Sequence, residues 1–383
     1  MKKGFKRSML IVVAVVAMFV SNAFVLTGCV GDYDFTVGIN QLLQHPALDQ
    51  SRIGFMTRLD ELMAAEGKTV RYIYQNALAE RTNAQTISNT FVAQRVDMIF
   101  ALGTASAQTA RDAAMDDRIP VVYGAITAPE APGTGLSGHS HVTGTSDRLD
   151  MKSQVELIKE LLGGEVNSIA YIFTAAEDNS RLQGELLETA ANELGVSVNI
   201  RSINAIGELE AVMTAIRNGN YEAIYIGTDN LLAGNMALVA ALNADGPRLP
   251  IVTGAAQMAE QGGVAAMGVN YTDVGIYAAE MAFEILFNDV VPGTIPPMYF
   301  DEDLELLDLL INKRVAADIG FTIPQALIDR ADRIIPVEET PEGCGSMVFS
   351  NGGIVIFVVL FGALSLVIFM TLKRKNIIRK QLS

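Results

Sequence analysis

Short apolar runs alternate with amphipathic segments from Tyr33 to Pro336, and this alternation predicts strands separated by helices. Strands are expected at 35–39, 70–77, 97–103, 118–126, 168–173, 196–202 and 222–227. Helices are expected at 58–67, 83–95, 151–162, 180–194 and 207–218. Strands connected through helices form parallel sheets, so the pattern indicates the α/β fold class.

Two parts of this pattern occur twice. Residues 97–104 (DMIFALGT) match 222–228 (EAIYIGT), and residues 118–125 (RIPVVYGA) match 248–255 (RLPIVTGA). Each copy has a strand that follows an acidic residue and ends in Gly-Thr, then a helix, then a strand that follows a proline and ends in Gly-Ala. Two matches in the same order predict two similar lobes.

Both Gly-Thr turns are expected at the carboxyl edge of their sheets, where open α/β sheets bind ligands. Helices begin there, and their first backbone N–H groups have no partner within the helix. Two lobes that face each other would share one such crevice. Hinge bending would then close the crevice on a small solute.

The chain begins with a basic stretch, MKKGFKR, which is followed by a short apolar run from Met9 to about Val25. The run ends in Leu26-Thr27-Gly28-Cys29, which resembles a lipobox. This arrangement predicts a lipoprotein signal peptide over 1–28 and acylation of Cys29. The alternative is an ordinary secretory signal that contains a cysteine.

A second uncharged run, 353–372, is long enough to cross the ~30 Å hydrocarbon layer. The basic tail at 373–383 is expected to stay cytoplasmic. A transmembrane helix is therefore predicted after a linker at 337–352, with the rest of the mature chain outside the cytoplasmic membrane. The segment around Cys344 also resembles a cysteine-based C-terminal sorting signal, for which a simple membrane helix is the alternative.

Composition excludes several other functions. Nine of the 28 Lys and Arg residues lie at the two ends, so the segment between them carries a charge of about −24, which argues against nucleic acid as a partner. Two cysteines, both beside membrane segments, provide no disulfide framework. His139 and His141 lack a third metal ligand, and the GxGxxG at 133–138 follows a loop. We expect no cofactor, no metal and no enzymatic activity.

Several segments together resemble the ABC transporter substrate-binding family that includes tryptophan-, phenylalanine- and tyrosine-type binders. They are HPALD within 38–55, YQNA within 74–108, TGTSD at 143–147 and TDN at 228–230. The resemblance implies a type I periplasmic-binding fold, with two Rossmann-like lobes joined by three crossovers, and it implies a permease and an ATPase as partners. The lobes are expected at 33–143 with about 272–297, and at 144–271 with about 298–336.

One segment departs from the family pattern. In the family, the strand after Pro250 usually leads to an acidic residue that faces the cleft. Here it leads to Gly254-Ala255-Ala256-Gln257, and the nearest acid is Glu260. If that acid normally meets the ammonium group of a ligand, this chain needs another acceptor for a standard amino acid.

The candidate ligand contacts follow the predicted strand ends. Backbone N–H and hydroxyl groups at Thr104, Ala105 and Ser106 could hold a carboxylate, whereas Asp229 and Asn230 could meet an ammonium group. Helix capping is the alternative role for both sets. Further candidates at the same edge are Gln44, His45, Thr127, Thr145, Ser146, Asn179, Ser180 and Tyr271. The run from Thr145 to Asp147 is a candidate for the hinge, for polar contact with the ligand, or for both.

These observations predict a binding module without chemistry of its own. The expected role is the extracytoplasmic solute-binding component of an ABC importer, with an amino acid or a related carboxylate as the ligand. Aromatic amino acids are among the candidate ligands. The alternative is a membrane-tethered sensor that signals to a membrane partner.

Overall fold

The computed structural model describes residues 33–302 and 306–337. The strands are β1 Phe35–Gln41, β2 Val70–Asn76, β3 Met98–Leu102, β4 Val121–Gly124, β5 Val142–Ser146, β6 Ser168–Thr174, β7 Ser197–Ile203, β8 Ala223–Ile226, β9 Ile251–Thr253, β10 Ala265–Val269, β11 Met298–Tyr299, β12 Leu307–Asn312 and β13 Arg333–Ile335. The helices are α1 Pro46–Ala65, α2 Arg81–Ala93, α3 Thr104–Ala114, α4 Met151–Leu161, α5 Asp178–Glu193, α6 Leu209–Arg217, α7 Asn230–Ala233, α8 Met236–Asp245, α9 Ala256–Gln261, α10 Tyr271–Leu286, α11 Lys313–Ile319 and α12 Gln325–Arg330.

The strands form two sheets, and each sheet is the centre of one lobe. The first sheet has the order β2-β1-β3-β4-β5-β11, and the second has the order β7-β6-β8-β9-β10-β12-β13. The chain passes between the sheets after β5, after β10 and after β11. The lobe boundary expected at 143/144 falls inside β5, which pairs with β4 in the first sheet.

Strand directions follow from these crossings. Neighbouring strands are parallel throughout the described sheets except at β12, which runs antiparallel to β10. β5, β10 and β11 run toward the region where the chain crosses between the lobes. β12 begins just after the third crossing, so it runs in the opposite direction. The expectation of parallel sheets thus holds for the strands that bear the repeat.

The repeated segments have the same local structure in both lobes. Asp97 accepts a hydrogen bond from a backbone N–H at the start of β1 (2.6 Å), and Glu222 accepts one from the start of β6 (2.9 Å). Arg118 and Arg248, which precede the Pro-led strands, both have a left-handed backbone with φ of 53°. The repeat in the sequence is therefore a repeat of the fold.

Helix α1 is longer than the helix predicted at 58–67, because it already begins at Pro46. It packs along α10, and both helices use glycine at the crossing. A Cβ on Gly275 would lie 2.0 Å from the backbone oxygen of Ser51, and one on Gly54 would lie 2.5 Å from that of Thr272. The two helices therefore approach to backbone contact.

Within the described ranges, no helix is both long enough and apolar enough to span a bilayer. The predicted signal peptide with Cys29 and the predicted span at 353–372 lie outside those ranges. The same holds for most of the 337–352 linker, including Cys344, and for the tail at 373–383.

Candidate functional site

A small cavity lies between the two lobes. Only about 10 Å³ of it can hold the centre of a water molecule. That space fits roughly one water. The lining residues are His45, Ala47, Leu48, Ala125, Asp147, Asn179, Thr228, Asp229, Asn230, Ala233, Ala255, Met258 and Tyr271. The two lobes thus meet around a cavity whose wall combines polar and apolar side chains.

Asp147 is the buried acid of the first lobe in this cavity. It follows β5 directly, and its two carboxylate oxygens accept from the Thr127 hydroxyl (3.1 Å) and the Tyr271 hydroxyl (2.7 Å). Burial raises the pKa of Asp147 to about 6, against the effect of these two donors. A buried carboxylate without a cationic partner is suited to a ligand that brings positive charge.

Threonine hydroxyls connect the lobes beside Asp147. Thr127 of the first lobe and Thr228 of the second lie 3.1 Å apart, oxygen to oxygen. The Gln183 amide donates to Thr228 Oγ1 at 2.6 Å and accepts from its backbone N–H at 2.9 Å. A Cβ on Gly227 would meet the Gln183 oxygen at 1.9 Å, so the strand must end in glycine for this amide to fit.

The first turn of α1 forms another part of the wall. His45 is the N-cap residue, and its side chain makes no capping hydrogen bond. The backbone N–H groups of Ala47 and Leu48 reach no acceptor among the described residues, although both residues are buried at the cavity. A 20-residue helix carries partial positive charge at such an end. These N–H groups therefore suit a carboxylate.

The short helix α7 supplies the second lobe's polar groups. Asp229 caps it, accepting from Leu232 N (2.9 Å) and from the backbone and hydroxyl of Thr174 (2.6 and 2.9 Å). Glu177 accepts from the backbone and side chain of Asn230 and from Leu231 N. Burial raises the pKa of both carboxyls, and the Asp229 charge adds to the rise at Glu177. These donors to the Asp229 carboxylate all belong to its own lobe.

A hydrogen bond joins α7 to the first lobe. His45 Nε2 lies 3.2 Å from Asn230 Oδ1. Burial lowers the pKa of His45 to about 4, so its imidazole is neutral at physiological pH. Its other ring nitrogen, Nδ1, is buried and has no hydrogen-bond partner among the described residues.

A wider recess lies beside the small cavity and shares Asn179 with it. The centres of water molecules can occupy about 470 Å³ of this recess, and its walls come from both lobes. Thr104 and Ala105 at the start of α3 lie on one side, and Glu177 and Leu231 lie on the other. The cleft therefore continues beyond the small cavity.

The structure brings together part of the predicted set. His45, Asn179, Asp229, Asn230 and Tyr271 line the small cavity. Thr127 lies one hydrogen bond behind it, and Thr104 and Ala105 line the outer recess.

Other candidates lie outside the cavity wall. Gln44 is exposed. Ser106 is buried against Asn40, to which its hydroxyl donates (3.2 Å). Thr145, Ser146 and Ser180 are buried and line neither the cavity nor the recess. The Thr145 hydroxyl donates to Val274 O, and the Ser146 hydroxyl donates to Thr127 O and accepts from Arg148 N. The Ser180 side chain is hydrogen-bonded to Asp229.

Sequence reasoning passed over several wall residues. Glu177 was not singled out because nothing local distinguishes it from surface acids of a helix start. Met258 follows the strand that departs from the family pattern, and with Ala255 it makes that wall apolar. Thr228 could have been found, since the repeat equates it with Thr104.

Among the described residues, no group of three or more His, Cys, Asp or Glu side chains is arranged to hold a metal ion. His139 and His141 lie within 3.2 Å of backbone carbonyl oxygens of Gly135 and Arg111. The GxGxxG at 133–138 lies in the turns between β4 and β5.

Residues 36–335 match the family model described as ABC transporter substrate binding protein. The chain belongs to this family. A tyrosine-binding protein of Clostridioides difficile is 31% identical over 280 residues, which cover 72% of this chain and 78% of that protein.

Two solved structures show the same fold at nearly equal sequence identity. An ABC domain from Streptococcus pneumoniae in complex with L-Trp is 29% identical, with a TM-score of 0.69 over 78% of this chain and 100% of that one. A ligand-free, open substrate-binding protein with adhesive properties from Clostridium difficile is 28% identical, with a TM-score of 0.59 over 79% of this chain and 100% of that one.

Proposed function

We propose that this protein is the extracytoplasmic solute-binding component of an ABC importer and that it binds an aromatic amino acid between its lobes by hinge closure. The observation that carries the proposal is the interlobe cavity, whose wall contains the buried Asp147 carboxylate and the first turn of α1. Among the described residues, that carboxylate has no cationic partner and the N–H groups of this turn have no acceptor. An α-amino acid carries one group for each, an ammonium and a carboxylate. The outer recess offers room for a larger side chain.

The Asp147 carboxylate can accept from the ammonium group although no acid immediately follows the strand after Pro250. It comes from the end of β5 in the first lobe, whereas Ala255 and Met258 contribute only apolar surface. An ammonium group at Asp147 would replace part of the hydration that this carboxylate loses on burial. A hydrogen bond between two charged groups is also stronger than one between neutral groups. A standard amino acid therefore remains a suitable ligand although the acid after Pro250 is absent.

The relatives support both the ligand class and the closure. Their ligands, where named, are tyrosine and L-Trp. The chain is more similar in shape to the L-Trp complex than to the open, ligand-free protein, although the sequence identities are equal within 1%. A closed arrangement with a nearly filled cavity requires the lobes to separate before a ligand can enter.

Transport, export and anchoring belong to the same proposal. A permease and an ATPase would be the partners, and acylated Cys29 and the 353–372 segment would hold the protein at the outer side of the cytoplasmic membrane. The moving bodies would be the two lobes centred on the two sheets, with β5 and β11 in the first lobe and β6 to β10, β12 and β13 in the second.

Thermal unfolding of the full chain in detergent, with each of the twenty amino acids, tests the proposal. A ligand at a hundred times its Kd should raise the melting temperature by roughly 5 °C. We expect tryptophan, tyrosine or phenylalanine to give the largest shift and acidic amino acids none. A panel in which no amino acid shifts the transition would contradict the ligand class.

Replacement of Cys29 by serine is expected to abolish acylation, because the thiol is the atom that carries the lipid. Mass spectrometry of the mature N-terminus checks this, with Cys344→Ser as the control that keeps the lipid. A wild-type chain without lipid would contradict the lipobox interpretation and leave the ligand proposal intact.

A further inference from the structure

A chain of three side chains crosses between the lobes beside the cavity. Glu177 and Asn230 belong to the second lobe, and His45 belongs to the first. The Asn230 amide nitrogen donates to Glu177 Oε2 at 2.6 Å, and the amide oxygen lies 3.2 Å from His45 Nε2. This Glu177–Asn230–His45 relay forms only when the lobes are together.

The donors around Glu177 fix the direction of the Asn230 amide. Both oxygens of Glu177 accept from backbone N–H groups, those of Asn230 (3.0 Å) and Leu231 (2.9 Å). In its ionised form, above its raised pKa, Glu177 can only accept hydrogen bonds, so the amide turns its nitrogen toward Glu177. Its oxygen then faces His45.

The direction of the amide in turn fixes the imidazole. Because Asn230 Oδ1 is an acceptor, the proton of His45 must lie on Nε2. A neutral imidazole has one proton, so Nδ1 keeps a lone pair. That nitrogen is shielded from solvent and has no partner among the described residues, while the His45 side chain lines the cavity.

We propose that Glu177, acting through Asn230, positions the His45 tautomer so that Nδ1 accepts a hydrogen bond from the ammonium group of the bound amino acid. The inference rests on the proposed function for the identity of the ligand, but the relay itself does not. Glu177 is a positioning residue here, and His45 is a contact residue. Together with Asp147, His45 gives the site two acceptors for one ammonium group.

The relay also connects ligand recognition with lobe closure. Separation of the lobes breaks the bond between His45 and Asn230, and the imidazole is then free to take either tautomer. The correct acceptor is therefore assembled only in the closed form. A ligand without an N–H donor leaves a buried, unpaired acceptor, which disfavours closure on it.

Nitrogen NMR of the full chain in detergent, labelled only in histidine, tests the relay directly. The chain has three histidines, so each can be assigned by single replacement. At a pH above the raised pKa of Glu177 and with saturating L-tryptophan, we expect His45 to show a protonated Nε2 and a bare Nδ1. A protonated Nδ1 would overturn the proposal.

Glu177→Gln separates positioning from folding. The change keeps the size of the side chain but places an N–H donor where a carboxylate oxygen stood, so the Asn230 amide can turn. We expect a new Nδ1–H population of His45 and at least tenfold weaker binding of L-tryptophan by calorimetry. Glu185→Gln, which removes an exposed charge of helix α5 away from the cavity and the recess, should leave both unchanged.

An amine-free analogue, indole-3-propionate, distinguishes the two proposals. The wild type should prefer L-tryptophan over it, and Glu177→Gln should lose at least part of that preference. An unchanged tautomer and an unchanged preference in this variant would overturn the role of Glu177. Failure of every aromatic amino acid to bind, with the Nε2–H tautomer present in a closed form held by another ligand, would overturn the proposed ligand and support the relay.

Discussion

Replacement of Asp147 by asparagine is expected to make the protein more stable and a poorer binder at the same time. Burial raises the pKa of Asp147 from 3.8 to about 6. The folded state therefore disfavours the charged form by up to about 3 kcal/mol at neutral pH, a penalty that a neutral amide does not carry. The Thr127 and Tyr271 hydroxyls can pair with an amide as well as with a carboxylate.

The same substitution removes the partner of the ligand's ammonium. Hydrogen bonds to charged groups contribute about 1.5–3 kcal/mol, so affinity for the best aromatic amino acid should fall roughly tenfold to a hundredfold. Calorimetric titration measures the affinity, and thermal melting measures the stability. A variant that is less stable and binds as well as the wild type would show that Asp147 only supports the fold.

The raised pKa of Asp147 also predicts how stability and ligand affinity change with pH. Because the folded-state pKa of Asp147 lies above the unfolded value, its contribution to stability is present below about pH 4 and is lost as the pH rises through about 6. Ligand binding needs the ionised carboxylate, so affinity should weaken about tenfold from neutral pH to about pH 5.

Other carboxyls and His45 also titrate near the cavity, and the variant separates them. Glu177 and Asp229 have raised pKa values and His45 has a lowered one, and all three remain in Asp147→Asn. Subtracting the pH profile of the variant from that of the wild type isolates Asp147. An identical slope in both proteins between about pH 5 and 7 would assign the effect to the other groups.

The two-lobe architecture was predictable because its signals are local. Asp97 and Glu222 each bind a backbone N–H at the start of a neighbouring strand, and Arg118 and Arg248 each take the same turn. Because each pair has the same structural role, an acidic residue and an arginine occur at equivalent positions in both copies. The strands between them are buried on both faces, which produces unbroken apolar runs.

Periodicity alone did not predict the first half of α1, which only the family resemblance at 38–55 indicated. Gly54 resembles a helix breaker in a local window, and Pro46 resembles part of a loop. The structure shows Pro46 in the first turn of the helix, where proline is tolerated, and Gly54 at the crossing with α10. The contact that makes glycine necessary lies more than 200 residues away in sequence, so no local pattern contains it.

The candidate site was predictable as a set of turns but not as a set of side-chain directions. Residues after the strand ends, such as His45 and Asn230, reach the cavity as the sheet edge predicts. Gln44 precedes His45 and points to solvent, while Ser106 turns inward to Asn40. These differences depend on the start of each helix and on how the lobes meet, which adjacent residue types do not encode.

Gly275 is the position where we expect the largest loss of stability from a single methyl group. Helices α1 and α10 approach to backbone contact there, and a Cβ would lie 2.0 Å from Ser51 O and 2.7 Å from Phe55 N. Backbone atoms within a helix cannot move alone, so the helices must separate. Gly275→Ala should therefore lower the free energy of unfolding by about 3 kcal/mol, near the upper end for overpacking.

Thermal melting checks this prediction against a matched glycine. Gly207 is exposed, and a Cβ there meets no atom within 4 Å, so Gly207→Ala should be neutral or slightly stabilising. The melting temperature of Gly275→Ala should fall by roughly 6 °C or more. Equal melting curves for the two variants would show that α1 and α10 can separate without strain.

The loss should extend to binding, because these two helices carry facing parts of the cavity wall. The first turn of α1 bears His45 and the N–H groups of Ala47 and Leu48, while α10 begins at Tyr271, which donates to Asp147. Separating the helices moves Asp147, the acceptor for the ammonium group, away from the N–H groups that bind the carboxylate. At a temperature where Gly275→Ala is still fully folded, we expect weaker binding than wild type, and unchanged affinity there would place the ligand elsewhere in the cleft.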